Sequence, residues 1–496
     1  MKIKLYNTLT KKIEDFIPIN TNEIRIYSCG PTVYSFAHIG NMRAFLFADL
    51  LQRTLKVVGK YNIKWVMNIT NIDDKTIRDS KMGSPEWLNE WGEQKENLHH
   101  NLNTLTNYYE QEFIKDIEKV GIKQNDLFAI PRATDYIEQM QDLIRILFDK
   151  GVAYSSEGSI YFNVNEYRKT EKYGKLLKID FDNFKAGLRV DTDQYERDNV
   201  SDFVLWKCKK EGEPFWDFYI NDVNYPGRPG WHTECSAMEY DILGLPIDIH
   251  TGGVDLKFPH HEDEIAQSKA AYGIEPVNYW CHNEFLEVEG SKMSKTLGNF
   301  FTIRDLENKN INPIDIRYAM LSAHYRTKYN FTIKGIEDAK KARERIQDYI
   351  YSALEKIDAV SFTISSIHIH NIITKKINDL KENIFYHLAD DLHTPKALAT
   401  LFTFINNNQI DSLSDNEISN FINFMKELNE IFVGWNFATP KPKTNTIPQN
   451  IIELANQRIE AKKNKDFATA DNLRKQITEL GYNIIDTKEG YAIERK

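Results

Sequence analysis

Two short, nearly continuous apolar runs, residues 24–28 and 63–69, carry the pattern of strands buried on both faces, and between them residues 42–58 place apolar side chains at helical spacing. Strand, helix, strand in that order predicts a βαβ unit of the doubly wound kind. From 84 to about 121 the pattern is helical, with Pro85 suited to a first turn, and the period changes at 126–132. A mixed stretch follows to about 225, with a strand at 159–164 and a polar loop at 191–200, and reads as an insertion. Near Gly230 the first rhythm resumes as a helix over 232–243, a strand over 247–251, a helix over 260–272 and a strand near 285–288. Beyond it, 335–357, 369–387, 394–407 and 415–433 carry apolar stripes that predict a helix bundle. A Pro- and Lys-rich linker occupies 439–448, and 449–496 reads as two short helices and a hairpin. No internal repeat is visible.

The expected class is therefore α/β. A Rossmann-like parallel-sheet domain in two halves, 1–125 and 226–310, is interrupted by a connective insertion at 126–225. A helical bundle at 311–436 follows, then a linker with a small C-terminal α+β module at 437–496.

Composition narrows this little. At 496 residues the chain exceeds one core and suits several domains. Its 63 Lys+Arg against 72 Asp+Glu give a formal charge of -9, so any surface for nucleic acid must be a local basic patch on an acidic body. No charged-then-apolar leader opens it and no apolar run approaches the ~20 residues that span a bilayer, so a cytoplasmic protein without membrane contact is expected. Four cysteines, at 29, 208, 235 and 281, are too few and too scattered for a disulfide scaffold; free thiols or metal ligands suit them better.

Chemistry concentrates in two short signatures, His38-Ile39-Gly40-Asn41 and Lys292-Met293-Ser294-Lys295-Thr296. The first follows a strand and the Gly30-Pro31 turn and opens a helix, the place where backbone N–H groups favour a phosphate; His38 adds a donor and Gly40 removes a blocking Cβ. Lys292 and Lys295 flank a hydroxyl residue, so two flexible charges and a donor can follow negative charge as it builds on a pyrophosphate. An isolated loop of this kind is otherwise a solvated surface feature. Gly252-Gly253 with Asp255, after a strand, suits a tight turn under a nucleotide with a carboxylate for ribose hydroxyls, or a plain turn.

A metal site is the sharpest candidate. His260 and Glu264 lie four apart on a predicted helix and point off one face, and Cys29 and Cys235 belong to elements expected at the carboxyl edge of the same sheet. From spacing alone, two buried free cysteines and a solvated His/Glu pair are the more ordinary reading. His261 points away by helical geometry. Cys208 and Cys281 read as structural, with Cys281 a rival ligand.

The two signatures, in this order and far apart, resemble the HIGH and KMSKS motifs of class I aminoacyl-tRNA synthetases. The stretches Cys29-Gly-Pro-Thr-Val-Tyr34, Gly230-Trp231-His232-Thr-Glu-Cys235, Gly252-Gly253-Val-Asp255 and Phe258-Pro-His260-His261-Glu-Asp-Glu264 are similar to those of cysteinyl-tRNA synthetases, bacterial type. Asn41 stands where a second His is usual and Thr296 where a Ser is usual, which puts the roles of those two positions in question.

The resemblance implies an enzyme that activates L-cysteine with ATP and transfers it to tRNA(Cys). It implies one Zn²⁺ per chain on Cys29, Cys235, His260 and Glu264; such a metal binds a cysteine thiolate as a serine hydroxyl cannot, so no editing site is required. ATP would bring Mg²⁺ and lie against His38, Gly40, Asn41, Gly253, Asp255 and Lys295, with His38, Lys292 and Lys295 stabilising the transition state. Trp231, Thr70 and His232 would border the amino acid. In the C-terminal module, Phe467 would stack on an unpaired base, unless it packs in a core, while Asp471 and Asp486 accept from base edges. Lys462, Lys463 and Lys465 would hold the backbone or form a solvated face. A monomer is expected. Two other readings are a cysteine-activating ligase acting on a small amino-sugar acceptor, and a non-catalytic tRNA-binding relative; the C-terminal module argues against the first, the retained signatures against the second.

Overall fold

A computed structural model describes residues 1–82, 97–178, 201–293, 298–363, 374–438, 449–487 and 490–495. The chain forms two compact units, Met1–Phe437 and Ala438–Lys496.

At the centre of the first unit lies a four-stranded parallel sheet. Its first half is β1 (Ile24–Ser28), α1 (Ile39–Val57) and β2 (Ile63–Met67). Its second half is α2 (Trp231–Leu243), β3 (Ile247–Gly253), α3 (His260–Tyr272) and β4 (Val277–Asn283). The strand order is β4-β3-β1-β2, with Ile26 opposite both Trp65 and Ile249, and His250 opposite Trp280. Connections leave β1 in one direction and β3 in the other, so the carboxyl ends of these two central strands form a switch point, the place where open α/β sheets bind ligands.

Strand alternation divides the core. Ile24, Ile26, Trp65, Met67 and Ile249 pack on the side of α1, the bundle and the helix Leu98–Lys119. Tyr27, Val66 and Trp280 pack on the opposite side with α2, α3 and the inserted region. That insertion is an antiparallel sheet of Gly227–Pro229, Phe203–Cys208, Ser159–Phe162 and Ala153–Ser156, in this order.

Helices Pro313–Leu321, Ile333–Thr363, Lys375–Ala389, Thr394–Asn407 and Asp415–Phe432 build the bundle. It is tied to α1 by a fully buried Arg317, which donates to Asp49 at 2.6 Å and to the carbonyls of Val120, Ile431 and Phe432 at 2.7–3.1 Å. Breaking such a pair from one side costs about 3–5 kcal/mol, because the remaining charge is stranded in the core. No helix among the described residues is long and apolar enough to cross a membrane.

The second unit holds helices Gln449–Lys463 and Phe467–Glu479 and the hairpin of Tyr482–Thr487 with Gly490–Arg495, around Ile451, Ala455, Ile477 and Ile484.

Several expectations are corrected. The segment near 285–288 does not complete the parallel sheet: Leu286–Val288 pairs with Ser291–Lys292 and Tyr329–Phe331, and the edge strand is β4. β4 escaped notice because its far end, His282 and Asn283, is polar although buried. The helix expected over 42–58 begins at Ile39. The helical stretch 84–121 is seen from Leu98 to Lys119, after a separate helix Asp74–Met82; 83–96 lie outside the described residues, as do the loop 191–200 and the linker 439–448. The hairpin Lys4–Asn7 with Lys12–Asp15, alongside β4, was not foreseen.

Candidate active site and metal centre

Cys29 follows the last residue of β1, and Gly30 fixes its path: a Cβ there would lie 1.6 Å from the Asn68 carbonyl oxygen, while the Gly30 N–H donates to Asn68 Oδ1 at 2.9 Å. Cys235 sits in the second turn of α2, whose start at Gly230 packs so closely on Val204 that no side chain fits. His260 and Glu264 are one turn apart on α3.

These four residues converge at the switch point. Their ligand atoms all lie within 4.8 Å of one another. The Cys29 and Cys235 sulfurs are 3.9 Å apart, Cys29 Sγ is 3.9 Å from Glu264 Oε1, and His260 Nε2 is 2.8 Å from that oxygen. Among the described residues, neither His260 Nε2 nor Glu264 Oε2 has a hydrogen-bond partner in good geometry.

Without a cation the cluster is electrostatically frustrated. Burial pushes the Cys29 thiol up to about 11, and Cys235 is driven well above its ordinary value by its contact with Cys29 and by burial. Burial alone would lower His260, but the Glu264 carboxylate and the Cys235 sulfur together override it and raise the imidazole to about 10. Two sulfurs, an imidazole nitrogen and a carboxylate oxygen, all turned to one point, fit a borderline-soft divalent ion that would take the place of the protons.

The surroundings were largely missed. His261 does not point away: residues 261 and 264 are three apart on α3, so its ring lies on the flank of the same face, with Nε2 3.3 Å from Cys29 Sγ. His250 Nε2 is 3.5 Å from the same sulfur, and Cys29, His250, His261 and Glu264 form a second, overlapping set of close ligand atoms. Behind them His261 Nδ1 meets His282 Nε2 at 2.8 Å, His282 Nδ1 meets Thr8 Oγ1 at 2.8 Å, and His250 Nδ1 meets Glu239 Oε2 at 3.2 Å. The available signal was a histidine within each of two apolar strands, a position that demands buried partners. Cys281 is no rival ligand. It faces the α1 side of the sheet, with Sγ 3.8 Å from the Tyr6 carbonyl, while its neighbours Trp280 and His282 face the cluster. Cys208 ends a strand of the inserted sheet.

Of the residues expected around an amino acid, Trp231 stacks on the His260 ring at 4.1 Å. Thr70 is buried and donates to Glu234 Oε2 at 2.8 Å; burial raises that carboxyl to about 8. His232 lies behind His260, with its Nδ1 3.0 Å from His260 Nδ1.

His38 is the N-cap of α1, the helix that follows β1. The Asn41 N–H donates to His38 Nδ1 at 3.1 Å, and the His38 N–H donates to Asn41 Oδ1 at 3.2 Å. Asn41 thus completes a capping box, and a ring that accepts at Nδ1 carries its proton on Nε2. No acidic residue occupies the first turn of α1, so its dipole favours an anion there. A Cβ on Gly40 would come within 2.9 Å of His38 Nδ1 and 3.0 Å of Met293 Cε, so the glycine admits Met293 against the signature helix. After that loop, Phe300 meets the His38 ring edge-on at 5.2 Å and the Phe301 carbonyl accepts from the Ile39 N–H. Lys292 is exposed; Lys295 and Thr296 lie outside the described residues. Asp255 is exposed, and its Oδ1 lies only 2.3 Å from where a Cβ on Gly253 would stand.

In the second unit, Phe467 is 63% exposed, which excludes a core role, and Asp471 is exposed one turn on. Both oxygens of Asp486 are engaged by Arg458 at 2.7 and 3.1 Å, and Lys462 reaches it at 2.6 Å; these bonds hold its carboxyl far below the usual range.

Comparison with known proteins places this geometry. The family model described as tRNA synthetases class I (C) catalytic domain matches residues 15–341. The cysteine–tRNA ligase of Brachyspira hyodysenteriae is 42% identical over 501 residues, covering 100% of this chain and 99% of that one. That of Leptospira interrogans serovar Lai is 41% identical with full coverage of both. Among solved structures, the methionyl-tRNA synthetase of Mycobacterium tuberculosis in complex with methionyl-adenylate aligns with a TM-score of 0.55 at 12% identity, over 83% of this chain and 89% of that one. At that identity the likeness is one of fold.

Proposed function

The chain belongs to the cysteine–tRNA ligase family of class I aminoacyl-tRNA synthetases, and from that premise we propose how its residues activate L-cysteine with ATP and pass it to tRNA(Cys). Likeness over the full length, C-terminal unit included, gives no support to a small amino-sugar acceptor. The chain would do this work in the cytoplasm, as a monomer.

Cys29, Cys235, His260 and Glu264 would hold a zinc ion, which when bound supplies a soft site for the substrate thiolate that a serine hydroxyl cannot match. The observation that carries this assignment is the convergence of their four ligand atoms within 4.8 Å, with buried atoms of His260 and Glu264 lacking hydrogen-bond partners among the described residues. Trp231 walls the amino acid through its stack on His260. Thr70 offers a hydroxyl whose proton is committed to Glu234 and whose oxygen accepts from the Asn68 amide at 3.4 Å, so its remaining lone pair would face the substrate ammonium, and His232 supports the same wall from behind.

ATP lies across the start of α1, accompanied by Mg²⁺. Gly40 and Asn41 shape that surface, His38 donates its Nε2 proton to a phosphoryl oxygen, and Gly253 with Asp255 receives the ribose. The cysteine carboxylate attacks the α-phosphorus, the bond to the bridging oxygen breaks, and pyrophosphate leaves. No side-chain nucleophile is needed; Lys292 and Lys295 meet the charge that develops on the leaving group. A terminal ribose hydroxyl of tRNA then attacks the aminoacyl carbonyl and releases AMP. In the second unit, exposed Phe467 offers a stacking face and Asp471 an acceptor; Asp486, clamped by Arg458 and Lys462, presents a fixed edge.

Cysteine-dependent ATP–pyrophosphate exchange followed by charging of total tRNA, on protein of measured metal content, tests the scheme. Cysteine-specific exchange and charging at one zinc per chain is expected; exchange that does not discriminate cysteine from serine would refute the assigned residues.

A further inference from the structure

We infer that Tyr173 and Asp263 are positioning residues that act through His232 to hold the ligand tautomer of His260, linking the inserted region to the metal centre. The inference rests on the metal assignment above. With His260 Nε2 turned to Glu264 and the sulfurs, its lone pair belongs to the ion and its proton must sit on Nδ1. That proton points at His232 Nδ1, 3.0 Å away, so His232 must accept there and carry its own proton on Nε2. Nε2 faces Asp263 Oδ2 across 3.6 Å, beyond hydrogen-bond length but close enough for a carboxylate to favour the protonated nitrogen. Asp263 Oδ1 in turn accepts from the Tyr173 hydroxyl. Every proton in the chain Tyr173, Asp263, His232, His260 then has one orientation.

All four side chains are buried, and their backbones are fixed independently. Glu262, beside Asp263 on α3, accepts from the N–H groups of Gly174, Lys175 and Leu176 at 2.6–2.9 Å, which anchors the segment that carries Tyr173. Gln267 donates to the His232 carbonyl at 2.8 Å and ties the first turn of α2 to α3. A shift of the inserted region would therefore reach the ligand nitrogen through a carboxylate and one ring.

The test combines ¹⁵N-histidine spectra with chelator competition on the full-length zinc-loaded protein. The wild type should hold one zinc and show His232 protonated at Nε2 and His260 at Nδ1. Asp263→Asn should bind zinc roughly ten- to a hundredfold more weakly, and Tyr173→Phe, which removes one hydroxyl far from the ion, should weaken it by a smaller factor while also broadening the His232 tautomer population. A merely structural role would lower Tm and leave the tautomers unchanged. If the wild type holds no stoichiometric zinc, the metal assignment falls and this inference with it. If it holds one zinc but His232 is protonated at Nδ1, or Tyr173→Phe matches the wild type in both affinity and tautomer, the relay alone is wrong.

Discussion

Around Cys29, Cys235, His260 and Glu264 the chemistry-bearing atoms are set by close neighbours: the buried imidazoles of His232, His250, His261 and His282, the buried ring of Trp280 and the half-buried ring of Trp231. At the start of α1 the signature helix is capped and tight, but Lys292, proposed to act there, is exposed. The contrast follows the work proposed for each end. Discrimination between a thiol and a hydroxyl is a ground-state binding difference, and it needs atoms held in place before substrate arrives. Stabilisation of departing pyrophosphate is needed only as charge appears, and a loop lysine that contributes little beforehand serves it better.

The sharpest way to break this contrast is to damage the buried end alone. Cys235→Ser replaces a soft ligand with a hard one of similar shape. It should lose or loosen the ion and lower kcat/KM for cysteine on the order of a thousandfold, several kcal/mol at about 1.4 kcal/mol per factor of ten, while ATP binding stays within a few-fold. Metal analysis beside pyrophosphate exchange reads both. Retention of cysteine–serine selectivity in a metal-free variant would remove the distinction between the two ends.

Damage to the exposed end should look different. Lys295→Ala should slow single-turnover adenylate formation roughly a hundredfold and leave cysteine affinity and zinc content unchanged. A normal adenylation rate would show that the loop lysine is a surface charge. Removal of 449–496 should spare exchange and reduce charging through a raised tRNA KM, by roughly ten- to a hundredfold if one or two stacked bases are lost. Loss of exchange as well would make the second unit part of the activation site.

A smaller effect probes the cap. Asn41→Ala removes the acceptor for the His38 N–H at a cost of about 1 kcal/mol, and a loosened ring should slow adenylation a few-fold without touching the metal. Temperature scans and single-turnover rates measure the two parts. The smallest is a pH profile. In metal-depleted protein burial raises Cys29 to about 11, so its alkylation by iodoacetamide should stay slow at pH 8–9 and climb only as pH approaches 11, whereas the unfolded control climbs near 8.5. A profile matching the control would mean the cluster relaxes when the ion leaves.

What could be read from sequence follows the same divide. Helical period and buried apolar runs located α1, α2 and α3 within a few residues, and the i, i+4 spacing of His260 and Glu264 placed both on one face. The edge strand β4 could not be read as such, because its far end, His282 and Asn283, is polar although buried, with His282 spending its polarity on His261 and Thr8 rather than on solvent. His261 was misjudged for a related reason: helical geometry says which side a ring leaves from, but not that the cluster lies close enough for the flank of α3 to reach it. Asn41, puzzling as a departure from a motif, is explained by the capping box that only the backbone geometry reveals.

Removing and returning the ion tests the central claim most directly. Full-length protein stripped with a chelator, then titrated with zinc, should lose cysteine-dependent pyrophosphate exchange and regain it in proportion to occupancy, reaching full rate and full discrimination against serine at one zinc per chain. Metal-free protein that still activates cysteine and still rejects serine would contradict it.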